Sequence, residues 1–287
     1  MIIDFETNTI YFSERLKTEK KFAKTFNEIS NVLKSIGIIP KLLPKTKDIW
    51  ARDYMPIQIT KDKFIEYRYD PDYLQGDATE KNTREIKTYP DIVCDAIGLK
   101  TVKSDIILDG GNVVKHKNTI ILTDKIILEN KRNYTKKQLT KTLKELFEVK
   151  KVVYIPRDNE CIFGHSDGML RFIKEDTVLI NGFYETIDLK LKERILNALK
   201  LSNIKWEWLR CSEKETAENI AYINFLQTKD LILLPKLKKK SEDNEALKII
   251  SRYYKWYADR ERIFQIDMTE IIKFGGALNC ISWTLKE

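Results

Sequence analysis

The sequence has few of the residues that bind metal ions or form disulfide bonds. Its 287 residues include two histidines, and the four cysteines are Cys94, Cys161, Cys211 and Cys280. None of the cysteines has the CxxC or CxH spacing that indicates a zinc site, and they do not form a dense disulfide framework. We therefore expect four reduced thiols, no bound metal and no cofactor.

Long hydrophobic runs and flexible linkers are also missing. No apolar stretch approaches the length needed to span a membrane, and Asp4 and Glu6 stand where a signal peptide would carry basic residues. We expect a cytoplasmic protein with no membrane partner. Because 43% of the residues are hydrophobic and no Pro/Gly/Ser-rich linker divides the chain, residues 1–287 are predicted to form one domain.

The excess of positive charge does not by itself indicate a nucleic-acid partner. The chain carries 51 Lys and Arg against 43 Asp and Glu, giving a formal charge of +8. The densest basic run, residues 236–240, has no nucleic-acid-binding motif beside it, and such runs usually mark a solvated face. No nucleic-acid partner is expected.

Five residues of catalytic type recur at nearly equal intervals. They are separated by 56, 56, 59 and 56 residues, and they are Asp53, Asp109, His165, Asn224 and Cys280. A regular period of this kind is typical of repeat architectures, so it suggests five repeats that contribute to one site.

The stretches between these residues repeat in kind. Residues 14–36 place Phe22, Phe26, Ile29 and Leu33 on one helical face, and a strand is predicted at residues 38–43. Corresponding helix and strand pairs are predicted at 84–97 and 101–108, at 135–146 and 152–155, at 188–200 and 204–209, and at 241–257 and 262–266. Thr135 and Gln138 form the capping-box pattern at one helix start.

A short apolar run follows each motif, as at residues 119–123, 177–181 and 231–235, so each unit reads as ββαβ. Because the last unit lacks room for its return strands, residues 2–12 are predicted to close the ring from the other end. A closed ring of repeats brings equivalent loops to one end of its axis, which would gather the five residues in one pocket.

The motifs at these positions resemble a known family. They are Trp50-Ala51-Arg52-Asp53 with Pro56, Asp109-Gly110-Gly111-Asn112, Gly164-His165-Ser166-Asp167 with Arg171-Phe172, Tyr222-Ile223-Asn224-Phe225, and Gly275-Gly276 before Cys280. Their order and placement are similar to those of the agmatine deiminases and Porphyromonas-type peptidylarginine deiminases of the guanidino-modifying superfamily. The resemblance implies the pentein fold, an α/β propeller of five ββαβ repeats around a central active site.

The resemblance also implies a chemistry, the hydrolysis of a small cationic guanidino substrate. Cys280 would attack as a thiolate and form a covalent amidino-thioether intermediate, and His165 would protonate the departing ammonia and then activate water. Asp53 and Asp167 would hold the guanidinium from each side. Agmatine, converted to N-carbamoylputrescine, is the first expectation. The alternatives are free or peptidyl arginine as substrate, an amidinotransferase, or a silent guanidino-binding module; a homo-oligomer stays open.

Several other residues allow two interpretations. Trp50 either stacks on the planar substrate or only packs against the protein. Asp109 either makes a contact in the site, with His165 or with the guanidinium, or only forms a turn. Asn224 either bonds within the pocket or satisfies a loop backbone. Arg52 is expected to orient Asp53 or to tie its loop to the ring, and Arg171 to be structural.

Two further expectations concern the surroundings of the site. The family usually has His immediately before the nucleophile, where this chain has Asn279, and strand alternation predicts that the Asn279 side chain points away from that of Cys280. The acids of the polar insertion after the first motif, Glu66, Asp70, Asp72 and Asp77, are expected to attract a cationic substrate or to form a lid. His116, between two lysines, is expected to be solvated.

Overall fold

A computed structural model describes residues 1–75 and 85–287, and these residues form five small sheets of three strands each. In chain order the strands are β1 Thr9–Ser13, β2 Lys41–Leu43, β3 Ile57–Gln58, β4 Phe64–Arg68, β5 Val102–Ile107, β6 Val114–His116, β7 Thr119–Thr123, β8 Lys151–Ile155, β9 Leu170–Lys174, β10 Thr177–Asn181, β11 Lys205–Leu209, β12 Leu226–Gln227, β13 Ile232–Lys236, β14 Ile263–Asp267 and β15 Ser282–Leu285.

The same topology recurs in every sheet. The strand orders are β3-β4-β5, β6-β7-β8, β9-β10-β11, β12-β13-β14 and β15-β1-β2. The first two strands are antiparallel and the third is parallel to the middle one, as in Val114↔Ile121 and Ile121↔Val153. A parallel pair needs a crossover connection, and a helix lies in each of the five crossovers. The predicted ββαβ unit is confirmed.

The crossover helices form where apolar periodicity and capping predict them. Longer helices span Lys20–Ser35, Pro90–Ala96, Lys136–Phe147, Leu189–Leu201 and Lys240–Tyr253, and shorter ones span Glu14–Thr18, Ala51–Tyr54, Lys125–Asn130, Phe183–Thr186 and Lys255–Ala258. In the first, Phe22, Phe26, Ile29 and Leu33 are buried as predicted. The capping box of Thr135 and Gln138 is present in both directions.

Three helices differ from the prediction. The helix expected at residues 14–36 divides at Glu19, whose backbone is extended, into Glu14–Thr18 and Lys20–Ser35. In the stretch expected to be helical at residues 84–97, the regular helix begins at Pro90 and ends at Ala96. Proline fits the first position of a helix because the N–H group that it lacks would have no helical hydrogen-bond partner there. The helix expected at 241–257 divides at Tyr254, which leaves the helical conformation. The Tyr254 ring is buried and its hydroxyl donates to the Phe172 carbonyl at 2.9 Å, so tertiary packing fixes this break.

The two ends of the chain meet in one sheet. Strand β15 pairs antiparallel with β1 from Thr9↔Leu285 to Phe12↔Ser282, and β2 pairs parallel with β1. The N-terminal strand therefore supplies the return strand that the last repeat lacks, and the predicted closure of the ring is confirmed.

The motif residues lie in the connections between successive sheets. Short 3₁₀ turns at Gly110–Asn112, Ser166–Gly168 and Ala217–Ile223 contact one another in that order, and the helix Ala51–Tyr54 contacts both the first turn and β15. These contacts gather the motifs at the centre. His165 and Asp167 precede β9 and do not share a strand face, because residues 166–168 form a turn.

No helix among the described residues has the length and apolar character that a membrane crossing requires.

Candidate active site

Three polar side chains converge on Gly111. A Cβ atom at this position would lie 2.5 Å from Asp53 Oδ1, 2.9 Å from His165 Nδ1 and 3.3 Å from Asp167 Oδ2. Only a residue without a side chain leaves room for these groups. The next residue, Asn112, accepts hydrogen bonds with Oδ1 from the amides of Thr123 at 2.8 Å and Ser166 at 3.2 Å, which fixes the turn that follows His165.

His165 lies between two carboxylates. Its Nε2 is 2.8 Å from Asp109 Oδ2, and its Nδ1 is 3.5 Å from Asp53 Oδ1. Burial lowers the pKa of His165, but the negative charges of Asp53 and Asp109 outweigh it and raise the pKa to about 9. The imidazole is therefore protonated at neutral pH and able to serve as a general acid.

Asp53 is held by the Gly111 amide and the Tyr67 hydroxyl in addition to its contact with His165. Its Oδ1 accepts from the Gly111 amide at 3.0 Å, and its carbonyl accepts from the Tyr67 hydroxyl at 2.6 Å. Burial raises the pKa of Asp53 to about 7, with a further upward contribution from Asp109 and Asp167 against the opposing charge of His165. A bound cation would lower the pKa of this carboxyl, because the cation favours the ionised form.

Asp109 is bound by a lysine that the sequence did not single out. Lys125 Nζ lies 3.0 Å from Asp109 Oδ2, also pairs with Glu129, and is 1% exposed. Burial opposes ionisation of Asp109, but His165 and Lys125 keep its pKa below the ordinary value. Burial raises the pKa of Glu129 to about 7. Of the interpretations offered for Asp109, the structure shows its contact with His165. No sequence motif indicates a role for Lys125, which is the first residue of an apolar helix.

Asp167 is held by two side-chain amides. Its Oδ2 accepts from Asn224 Nδ2 at 3.0 Å and from Asn279 Nδ2 at 2.7 Å. The expectation that Asn279 points away from the site is wrong, because residues 278–281 form a turn and the alternation of a strand does not apply. Asn224 bonds within the pocket, as one of its two readings predicted.

Cys280 lies beside the same carboxylate. Its Sγ is 3.6 Å from Asp167 Oδ2, and its amide donates to Asn224 Oδ1 at 3.1 Å. Burial raises the pKa of the thiol well above its usual value, and the charges of Asp167 and Asp53 raise it further. The ligand-free site therefore holds a neutral thiol, and a cation between the carboxylates would favour its ionisation.

The remaining residues of the first motif fix the loop. The Arg52 amide donates to the Cys280 carbonyl at 3.0 Å, and Arg52 Nε donates to the Asn279 carbonyl at 3.4 Å, so this residue ties its loop to the nucleophile segment. The Trp50 ring packs closely over Gly276, where a Cβ atom would collide with it. Trp50 thus packs at the site, and stacking on a substrate stays a prediction.

Two residues outside the loops also have defined contacts. Arg171 pairs with Asp4 at 2.6 Å and donates to the Phe225 carbonyl, which fits the structural role expected of it. His116, expected to be solvated, is half-buried: its ring lies 5.4 Å from that of Phe172, and its buried Nδ1 lacks a hydrogen-bond partner among the described residues.

Aromatic rings lie beside His165, and the site is nearly closed. The Tyr73 and Phe163 ring centres are 6.1 and 6.2 Å from the imidazole and 5.2 Å from each other. Asp53, His165, Asp167 and Cys280 are each no more than 8% exposed. Low polarity around these charges strengthens their interactions.

Of the described acids in the polar insertion, Asp72 reaches this cluster. Asp72 Oδ1 lies 3.3 Å from Lys125 Nζ. Glu66 accepts from Thr101 and pairs with Lys103, and Asp70 pairs with Arg68 and Lys87, so both are engaged elsewhere. Asp77 lies outside the described residues. In residues 1–75 and 85–287, no group of three or more His, Cys, Asp or Glu side chains is arranged to hold a metal ion.

Comparison with known proteins identifies the family. A protein from Photobacterium profundum, provisionally named an agmatine deiminase, is 22% identical over 91% of this chain and 80% of its own length. The agmatine deiminase of Medicago truncatula is 26% identical over 61% of this chain, which spans 56% of that protein. The structure of the C. jejuni agmatine deiminase superposes with a TM-score of 0.76 at 15% identity, over 100% of this chain and 95% of the other, which confirms the pentein fold. The model of the Porphyromonas-type peptidyl-arginine deiminases matches residues 1–285, and the chain belongs to that family.

Proposed function

We propose that this chain is a guanidino-group hydrolase that forms a covalent intermediate on Cys280, and that its substrate is agmatine. The observation that carries the proposal is the arrangement around Asp167 and His165. One carboxylate contacts the thiol at 3.6 Å, and the imidazole lies between two further carboxylates. A nucleophile, an acid and an anionic site for a planar cation therefore occupy one small, buried volume.

The first half of the reaction follows from these contacts. A guanidinium bound by Asp53 and Asp167 adds positive charge beside Cys280, which lowers the pKa of the thiol, so that its proton is lost to solvent and the thiolate remains. The sulfur attacks the central carbon and a C–S bond forms. The C–N bond to one terminal nitrogen then breaks, and the protonated His165 supplies the proton with which ammonia leaves.

The second half returns the enzyme to its starting state. His165, now neutral, takes a proton from water, and the resulting hydroxide attacks the carbon of the amidino-thioether. The C–S bond breaks and the sulfur leaves as thiolate, while the added hydroxyl group loses its proton to become the carbonyl of the ureido product; that proton returns the sulfur to the neutral thiol. Asp109 holds Nε2 through both steps, so Nδ1 is the nitrogen available for proton transfer.

The enclosure and charge of the site support a small cationic substrate. The four reacting groups are almost inaccessible to solvent, which disfavours the broad backbone of an internal peptide arginine. The carboxylates of Asp72 and Glu129 lie on Lys125 at the edge of the cluster and add to its negative charge, which favours an amine tail over the carboxylate of free arginine. The named agmatine deiminases among the relatives agree with this choice. We place the enzyme in the cytoplasm, where its thiol stays reduced.

The test is a substrate panel with a cysteine variant. Agmatine, free arginine, methylated arginines and a peptide with internal arginine are each assayed for ammonia and ureido product, with and without an amine acceptor. We expect agmatine to be hydrolysed by the wild type and by Cys94→Ala, a control that removes a buried thiol elsewhere. Cys280→Ala is expected to lose at least about 1,000-fold in rate, because the covalent route is gone.

Other results would replace the proposal in defined ways. Turnover of a different panel member would rename the substrate, and transfer to the amine without ureido product would identify an amidinotransferase. Binding of agmatine without any turnover would identify a guanidino-binding protein.

A further inference from the structure

A second chamber lies behind the catalytic loops. It has a volume of about 820 Å³, and the strands β6 and β9, the N-terminal segment and residues 252–257 supply most of its wall. Arg52, Asp167 and Asn279 border it, but Cys280, His165 and Asp53 are not part of its lining. The chamber is therefore adjacent to the active site, and the nucleophile does not line it.

Cationic side chains predominate in the lining of the chamber. Arg52, Lys115 and Arg171 are buried or half-buried, and Lys174, Arg252 and Lys255 are exposed. The acids of the lining are Asp4, Asp167 and Glu207. Of these, Asp167 is held by the two asparagine amides, Asp4 is paired with Arg171 at 2.6 Å, and Glu207 is exposed. The chamber thus carries a net positive charge.

Lys115 is the least satisfied of these cations. Its side chain is 10% exposed, and its nearest acid is Asp4 Oδ1 at 3.8 Å, beyond hydrogen-bond distance. Within the described residues the Lys115 ammonium has no hydrogen-bond acceptor, and Asp4 Oδ1 and His116 Nδ1 are buried without a hydrogen-bond partner. Burial, with Arg52 and Arg171, lowers the pKa of Lys115 to about 8. The ammonium lines the chamber with one distant carboxylate as its partner, and an oxyanion bound there would supply charge-assisted hydrogen bonds that it otherwise lacks.

The same charges exclude the substrate of the active site. A guanidinium with an amine tail would meet Arg52, Lys115 and Arg171, and like charges in a site of low polarity repel strongly. The Phe172 and Tyr254 rings on the wall offer apolar surface for an organic group.

We propose that this chamber binds a small organic anion, whose carboxylate or phosphate group lies against Lys115, Arg171 and Arg52. The proposal rests on the positive lining of the chamber and on Lys115, whose ion pair with Asp4 is long at 3.8 Å, and it does not depend on the reaction at Cys280.

The test compares anion binding by the wild type and two lysine variants. Citrate and inorganic phosphate serve as the carboxylate and phosphate probes, and calorimetric titration and thermal unfolding are measured against sodium chloride at equal ionic strength. Lys115→Met removes the buried charge. Lys117→Met removes an equal charge from the same hairpin at a side chain that is 59% exposed and does not line the chamber.

We expect one or both probes to bind and to raise the wild-type Tm above the value in chloride. Lys115→Met should weaken binding at least about tenfold, the loss of one charge-assisted hydrogen bond, and Lys117→Met should stay within about twofold. Whichever of citrate and phosphate binds more tightly identifies the anionic group of the ligand as a carboxylate or a phosphate.

Equal binding by Lys115→Met and the wild type, or no binding of either probe beyond chloride, would overturn the proposal. Should Lys115→Met fail to fold, Lys174→Gln with Lys255→Gln gives the same comparison without changing a buried charge. This pair should weaken binding about threefold or more at low salt, and unchanged binding would count against the proposal.

Discussion

At the scale of single residues, the charge on His165 is set by its neighbours. Burial alone would favour a neutral imidazole, but carboxylates face both ring nitrogens and hold its pKa at about 9. Asp109 is the closer of the two, at 2.8 Å from Nε2. The protonated acid needed to expel ammonia is thus available across the neutral range.

The first prediction concerns the pH profile of Asp109→Asn. Removing this negative charge lowers the pKa of His165 toward its ordinary value of 6.5, so the protonated form is lost at lower pH. The alkaline limb of the plot of kcat/KM against pH should move to lower pH by about one unit or more, because kcat/KM reports the free enzyme. Steady-state rates between pH 6 and 10 measure the shift.

The matched control is Asp105→Asn, which removes an exposed carboxylate on β5 that accepts a hydrogen bond from the Tyr134 hydroxyl. Its profile should coincide with that of the wild type. An unmoved alkaline limb in Asp109→Asn would show that Asp109 does not control the proton on His165.

The sequence predicted which residues come together at the centre better than it predicted the contacts that each of them makes. Cys280, His165, Asp53, Asp109, Asn224 and Asp167 come together, and their catalytic and binding roles stay predictions. Asn279 was misplaced because its segment is a turn, so side-chain direction did not follow strand alternation. Lys125 carries no motif, since a lysine before an apolar run is ordinary on a helix surface.

At the scale of elements, the short helix Lys125–Asn130 delivers a charge to the core. Lys125 is in its first turn, where the helix dipole disfavours a cation, and it is almost fully buried. Asp109 and Glu129 offset both costs through direct ion pairs. Asn130 at the other end binds β5, with its Nδ2 donating to the Ile107 carbonyl at 2.7 Å.

The second prediction is that Lys125→Met destabilises the protein by about 3 kcal/mol at pH 8, because the buried Glu129 carboxylate loses its cation and Asp109 keeps only His165. The loss should be smaller at pH 5.5. Glu129 already has a raised pKa of about 7, and protonation of its carboxyl relieves the repulsion below that pH. Urea unfolding at the two pH values gives the free energies of unfolding.

Lys141→Met is the control, since this lysine is 79% exposed and lies 3.9 Å from Glu145. It should change stability by less than about 0.5 kcal/mol. A Lys125→Met variant within about 1 kcal/mol of the wild type at pH 8 would refute the structural importance of the buried ion pairs.

At the scale of the whole molecule, the closing sheet joins the chain ends to the catalytic loop. Strand β15 begins two residues after Cys280 and pairs with the N-terminal strand. Its Trp283 is buried, lies 5.2 Å from the Tyr11 ring and donates to the Pro56 carbonyl at 2.8 Å. One side chain therefore connects the last repeat, the first strand and the loop after Asp53.

The third prediction is that Trp283→Ala lowers the free energy of unfolding by about 4 kcal/mol, through the cavity and the lost hydrogen bond. Trp283→Phe should lose about half as much, because it keeps most of the buried area. Denaturant unfolding measures both. The control is Trp256, which is 48% exposed, and Trp256→Ala should lower the free energy of unfolding by less than about 1 kcal/mol. An equal loss in Trp283→Ala and Trp256→Ala would show that the contacts of the closing sheet do not contribute more to stability than those of a surface tryptophan.

The sequence alone determined the fold class, the order of the repeats and the family. The patterns that indicated them are local or repeated: apolar periodicity, the capping box and the spacing of about 56 residues. Such patterns can be recognised without knowing which distant residues are in contact. The closure by residues 2–12 also followed, because the last repeat lacked strands that only the other terminus could supply.

Only the tertiary structure decided which atoms meet. The 2.8 Å contact of His165 with Asp109, the turn that brings Asn279 to Asp167, and the burial of Lys125 and Lys115 depend on loops from different repeats. Such contacts join residues far apart in the chain, and ångström-scale differences in loop conformation change them. The pattern of residue types therefore predicts the chemistry, and the packing of the ring sets the charge on each group that performs it.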